Sequence, residues 1–156
     1  MIVKVTPALF LLLIAAPAWA ADPAHLEQLR RTGNCPNCDL SYARLRGRNL
    51  QGADLRGANL NAADLRGANL RGANLREAVL NNADLTKANL TNTNLTGASL
   101  LITRLDGAIL VGAQLVDAVL GGRDRLARVQ TLQEATLPNG QKAFFLEFLE
   151  ELTRPR

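Results

Sequence analysis

"GANLNAADLRGANLRGANL", residues 57–75, sets a leucine at every fifth position and an alanine two residues ahead of each. A period of five suits neither regular element. On an α-helix five residues advance about 500°, so the leucines would wind around every side instead of forming a stripe. On a flat strand an odd spacing throws successive leucines to opposite faces. A backbone that bends after each five-residue segment, and so traces a closed polygon, turns them all inward and stacks its coils about 4.8 Å apart like parallel strands.

Working outward from this stretch, leucine recurs without a gap from Leu40 to Leu120, seventeen in succession. The residue two before it is alanine in thirteen of the seventeen, small enough to share a narrow interior. Glycine stands two after it in nine, where a turning chain needs a residue without Cβ. The residue just before it is Asn or Asp in ten, types whose short side chains bond to nearby backbone at bends. Arg48 interrupts the alanine column, and an unpaired buried guanidinium is expensive, so the first coil is either irregular there or open to water. Thr93 and Thr103 interrupt it less seriously.

This A-(D/N)-L-x-G register, as in Ala53-Asp54-Leu55-Arg56-Gly57 and Ala68-Asn69-Leu70-Arg71-Gly72, resembles the pentapeptide repeat family over residues 38–122. The resemblance implies an all-β fold, a right-handed quadrilateral parallel β-helix with four pentapeptides per coil. Asn49, Asn69 and Asn89, spaced by twenty, agree with that number.

The flanks read differently. Residues 1–20 carry Lys4, an apolar run from Ala8 to Ala16 and Ala18-Trp19-Ala20, the layout of a secretory signal peptide. The run is short for a bilayer span, which takes about twenty residues, so an exported protein that does not span the membrane is expected, with an uncleaved anchor as the alternative. Its destination would be the periplasm or the exterior, or the thylakoid lumen in a phototroph. Residues 21–37 hold a short helix with Asp22 as N-cap and Gly33 as stop, its Leu26 and Leu29 lying over the first coil, followed by a C-x-x-C segment. In residues 123–156 the phase breaks, Thr131-Leu132 and Thr136-Leu137 look like displaced repeats, and Gln141 to Thr153 forms an amphipathic capping helix. Late outward positions turn apolar at Leu101, Ile102, Ile109, Val111, Val116 and Val119, a flank for that helix or for a homodimer formed through it.

Chemistry is sparse. Cys35 and Cys38 lack the further ligands of a zinc site and are not followed by histidine as in covalent haem attachment. In an oxidising compartment they either close a local disulfide or remain two buried thiols. His25, the sole histidine, reads as a surface or cap residue. Asp64 and Asp84 would stack on one face, with Arg44, Arg46, Arg66 and Arg104 there to neutralise them. No nucleophile, base and orienting group recur at recognisable spacing, so neither a catalytic centre, a cofactor nor a metal is expected.

Charge is uneven. Residues 44–76 hold seven arginines against Asp54 and Asp64, whereas residues 77–122 are net acidic. Arg44, Arg46, Arg56, Arg66, Arg71 and Arg76 form a candidate surface for a polyanion such as an anionic membrane surface or polysaccharide. Nucleic acid is disfavoured, because no aromatic residues interleave to stack bases. Some members of the resembled family imitate duplex DNA and act on DNA gyrase through an acidic cytoplasmic surface, which this basic stretch and the signal peptide argue against. The expected role is a non-enzymatic exported scaffold or interaction module with an unidentified protein partner, and polyanion binding is its alternative.

Overall fold

The computed structural model describes residues 21–121, 126 and 129–141. Backbone bridges join each repeat to the one twenty residues on, always in parallel, from Asp39 with Asn59 to Ser99 with Val119. Four pentapeptides therefore make one coil. The side chains of Leu55 to Leu100, at the centres of successive faces, are fully buried, and the intervening alanines join them in one continuous core. Each face is too short to hold an extended strand before the chain corners, so the described residues show isolated bridges and no longer strands.

Three inter-coil hydrogen bonds recur per repeat, and one local bond closes each corner. At Leu45, for example, the Leu45 N–H donates to the Asp64 carbonyl, the Asp64 N–H to Ala43 and the Gly47 N–H to Arg66. The corner is a four-residue turn in which the N–H of the alanine position donates to the preceding leucine carbonyl, as from Ala68 to Leu65 at 3.0 Å. Its third residue adopts positive φ throughout, +63° at Gly67 and +55° even at Ala62. All ten Asn or Asp residues of the leading position accept a hydrogen bond from the N–H two residues on, the bend chemistry expected of them. Where Ser99 occupies that position, Asn81 from the preceding coil reaches up and accepts the Leu101 N–H instead.

The departures resolve individually. Thr93 and Thr103 are buried, and their hydroxyls donate to the carbonyls of Leu70 and Leu80 in the coil beneath. Arg48 leaves the backbone regular, since the Asn69 N–H still donates to its carbonyl, and its side chain is exposed at the end of the stack, so the coil is open to water there.

At the start, the boundary expected at residue 38 moves. The Cys35 N–H donates to Asp54, Asn37 takes the positive φ of a corner, and Cys35 is fully buried in a leucine position. The solenoid register thus begins at Cys35, hidden from a leucine-based reading because the central residue there is sulfur-bearing. Helix α1, Pro23–Thr32, precedes it. The Asp22 carboxylate accepts from the Ala24 N–H, Pro23 sits in the first turn, and Gly33 ends the helix in the left-handed conformation. Leu29 is buried in the core cluster and Leu26 packs against it.

At the other end the pairing interval lengthens from twenty to twenty-two, with Ile109 bridging Thr131 and Gln114 bridging Thr136. Two residues are therefore inserted after Val119. Strict phase would bring Arg125 to the centre; the buried residue is Leu126. Leu132 and Leu137 are buried as further centres, so the displaced repeats rejoin the ladder. The expected apolar flank does not form one surface. Leu101, Ile102 and Val119 lie on the face centred on Leu100 and Leu120, whereas Ile109 and Val111 belong to the face centred on Leu110, two corners away. The signal peptide expected over residues 1–20, and the capping helix expected over Gln141 to Thr153 with the homodimer through it, fall outside the described residues, Gln141 excepted.

Candidate interaction surface

Because every outward side chain rides on a fixed ladder, the coil register decides which charges meet. Arg44, Arg46 and Arg66 share the face centred on Leu45 and Leu65, Arg56 and Arg76 lie on that of Leu55 and Leu75, and Arg71 projects from a third. The arginines that sequence grouped into one basic surface are thus spread over three sides of the stack.

Half of them are also engaged. Arg56 grips the Asp54 carboxylate with two nitrogens at 2.8 and 2.7 Å, and Arg66 holds Asp64 in the same way at 2.7 and 2.6 Å. These hydrogen bonds hold both carboxyls below the ordinary aspartate range and raise the two guanidinium groups further. Arg76 pairs with Glu77 at 3.0 Å. Asp84 stacks over Asp64 as expected, and Arg104 at 3.3 Å and Arg66 at 4.0 Å offset its charge. That face is a charge-compensated ladder. Arg44, Arg46 and Arg71 form no ion pair among the described residues.

The first coil meets α1 through polar contacts that replace missing rungs. The Asp22 N–H donates to the Asp39 carbonyl, the Asp39 N–H donates to His25 Nδ1 at 3.0 Å, and the Asp54 N–H donates to Asn34 Oδ1 at 2.7 Å. The imidazole Nδ1 thus stands where a backbone carbonyl stands in the other coils, as the acceptor of the Asp39 N–H. Neither His25 nor Asn34 was assigned this role from sequence, since nothing local marks a side chain that substitutes for a carbonyl. Cys35 and Cys38 are joined as a disulfide with Cα atoms 5.4 Å apart, beside the His25 carbonyl at 3.2 Å from Cys35 Sγ. The Ser41 hydroxyl and N–H lower the Asp39 carboxyl from its ordinary value. Between α1 and the Tyr42–Leu50 segment lies a cleft of about 750 Å³, walled by Leu26, Leu29, Leu45 and Leu50 and bordered by Arg30, Arg44 and Arg48.

Among the described residues no three His, Cys, Asp or Glu side chains converge as a metal site, and no helix is long and apolar enough to cross a membrane. No curated protein matches the chain. Solved structures do. Rfr23 from the cyanobacterium Cyanothece 51142 is 27% identical, with 77% of this chain and 94% of that one covered and a TM-score of 0.52. A protein of the Arabidopsis thaliana thylakoid lumen is 28% identical over 69% and 81% at 0.51. Alr5209 from Nostoc PCC 7120 is 37% identical over 62% and 81% at 0.55. All three are described as pentapeptide repeat proteins, a family whose members fold as right-handed β-helices. The family profile for pentapeptide repeats matches residues 38–76, 63–100 and 88–122, which together span the leucine ladder. With sequence period, coil register and profile in agreement over the same residues, the chain belongs to the pentapeptide repeat family.

Proposed function

We propose that the protein is an exported, non-enzymatic interaction module that offers rigid lateral faces to a protein partner. The observation that carries this reading is the ladder itself. Outward side chains are held at fixed spacing by three inter-coil bonds per repeat, while leucine and alanine fill the interior. Such a surface is preorganised, and little ordering entropy opposes its binding. Export is supported by the signal-like layout of residues 1–20, by the Cys35–Cys38 disulfide, which suits an oxidising compartment, and by the lumenal address of one 28% identical relative.

The test is affinity capture with the protein purified from the exported fraction. Intact mass should lack residues 1–20 and with them Trp19, leaving Tyr42 as the strongest near-ultraviolet chromophore. The captured partner should be lost on reversing an outward charge such as Arg66→Glu and kept on the inward Leu85→Met. Retained Trp19 removes the export reading; capture insensitive to every outward substitution removes the module.

A second reading, polyanion binding, is favoured by Arg44, Arg46 and Arg71, which lack ion pairs among the described residues. It requires cosedimentation with phosphatidylglycerol vesicles that falls steeply with salt.

A further inference from the structure

Among the described residues the first coil is paired along only part of its outer edge. In the second coil the faces centred on Leu65 and Leu70 present six backbone groups toward the first coil, namely the N–H and C=O of Asp64 and Asn69 and the carbonyls of Arg66 and Arg71. All six are bonded, to Ala43, Leu45, Gly47, Arg48, Leu50 and Gly52. The equivalent groups one coil down are the N–H and C=O of Arg44 and Asn49 and the carbonyls of Arg46 and Gln51. None of these has a partner among the described residues, and all four residues are exposed. On the other two faces of the same edge five of the six equivalent groups are bonded, to Asp22, His25, Asn34, Cys35 and Asn37, and the sixth, the carbonyl of Ser41, belongs to a buried residue.

An unpaired edge with regular geometry is a template for an added strand. We propose that the half-edge from Arg44 to Gln51 is a docking site for an extended acidic segment of a partner protein, which would lie parallel to it and add half a coil. Parallel addition follows from the ladder, whose bridges are parallel throughout. Acidity follows from charge. Arg44 and Arg46 flank the edge without ion pairs among the described residues, and the exposed Arg48 borders the adjoining cleft. The chain's own second coil already sets an aspartate, Asp64, beside Arg44. The apolar wall of the cleft, Leu26, Leu29, Leu45 and Leu50, receives small aliphatic side chains on the inward side of the segment. The site deepens the interaction-module reading and rests on it, while naming where and what kind of partner binds.

The probe is a fluorescein-labelled decapeptide, ADLEGADLEG, which keeps the inward and corner residues of two repeats and places acids outward. Titrated into the full chain, it should slow hydrogen exchange of the Arg44 and Asn49 amides at least tenfold. R44E/R46E, both exposed, should weaken binding at least tenfold with cooperative melting retained, whereas R76E on another face should not. A decaglutamate control should bind more weakly and leave those amides unprotected. Equal binding of decaglutamate, or binding of the decapeptide without amide protection, overturns the proposal. Heparin or anionic vesicles that lose binding in R44E/R46E while the decapeptide protects nothing assign the arginines to a polyanion instead. If the decapeptide fails while a partner is still captured through the lateral faces, the docking edge falls and the module reading stands.

Discussion

At Ala62 the chain makes the same left-handed corner that glycine makes five residues later, with φ of +55° against +63° at Gly67. An L-residue in this region costs about 1–2 kcal/mol, because its Cβ crowds the following carbonyl. Glycine avoids that cost but gives back about 0.4–1 kcal/mol through the freedom it adds to the unfolded chain. Ala62→Gly should therefore stabilise by up to about 1 kcal/mol, and Gly67→Ala, which meets no neighbouring atom within 4 Å, should destabilise by a similar amount. Paired urea titrations read both signs at once, and a stabilising Gly67→Ala would contradict the corner geometry. The same residues show what sequence could disclose. The glycines marked the corner position, but Glu77, Lys87, Asn92 and Ile102 occupy it as well with φ between +56° and +59°. They were recognisable as corners only through the leucine two residues earlier.

One pentapeptide is not a stable unit, and its contribution depends on whether the coils beside it continue the same columns. Leu70 is fully buried, and its carbonyl accepts both the Ala73 N–H of its own corner and the Thr93 hydroxyl from the coil above. Leu70→Ala should cost about 2–5 kcal/mol, since the stacked alanine columns hold the cavity open. Thr93→Ala should cost no more than about 1 kcal/mol, because the carbonyl keeps one donor and alanine is the ordinary occupant of that column. Leu70→Asp and Ala73→Phe, an unpaired charge and an oversized ring on the inside, should prevent cooperative unfolding altogether. Denaturant midpoints that rank Thr93→Ala below Leu70→Ala would refute the inward register. At this scale the sequence was legible wherever a repeat matched its neighbours. It failed at the ends, where the rule changes: Cys35 takes a leucine's place, Leu126 slips one residue to enter the core, and His25 and Asn34 replace backbone acceptors. The arginines of residues 44–76 divide among faces for a related reason. Adjacency along the chain turns a corner every five residues, so neighbours in sequence part in space and partners arrive from twenty residues away.

The whole stack carries an acid sensitivity that its periodicity makes separable from its fold. Asp54 and Asp64 are held below the ordinary aspartate range by Arg56 and Arg66, and Asp39 by Ser41. A carboxyl whose folded value is depressed stabilises fully above its unfolded value, about 3.9, and that stabilisation is lost as pH falls through the folded value. Melting temperature should accordingly stay level from neutral pH to about 5 and decline below about 4. In most proteins replacing such aspartates would also remove their structural bonds. Here asparagine serves the same position at Asn49, Asn59 and Asn69, where its Oδ1 accepts the same N–H from two residues on. The triple variant Asp39→Asn, Asp54→Asn and Asp64→Asn should therefore keep the corners, lose only the exposed ion pairs of Asp54 and Asp64 at neutral pH, and show a shallower acid decline than the parent. A pH series of thermal melts from 2 to 7 on both proteins measures this directly. Identical acid slopes would place the sensitive carboxylates outside the ladder and deny the three aspartates a part in it.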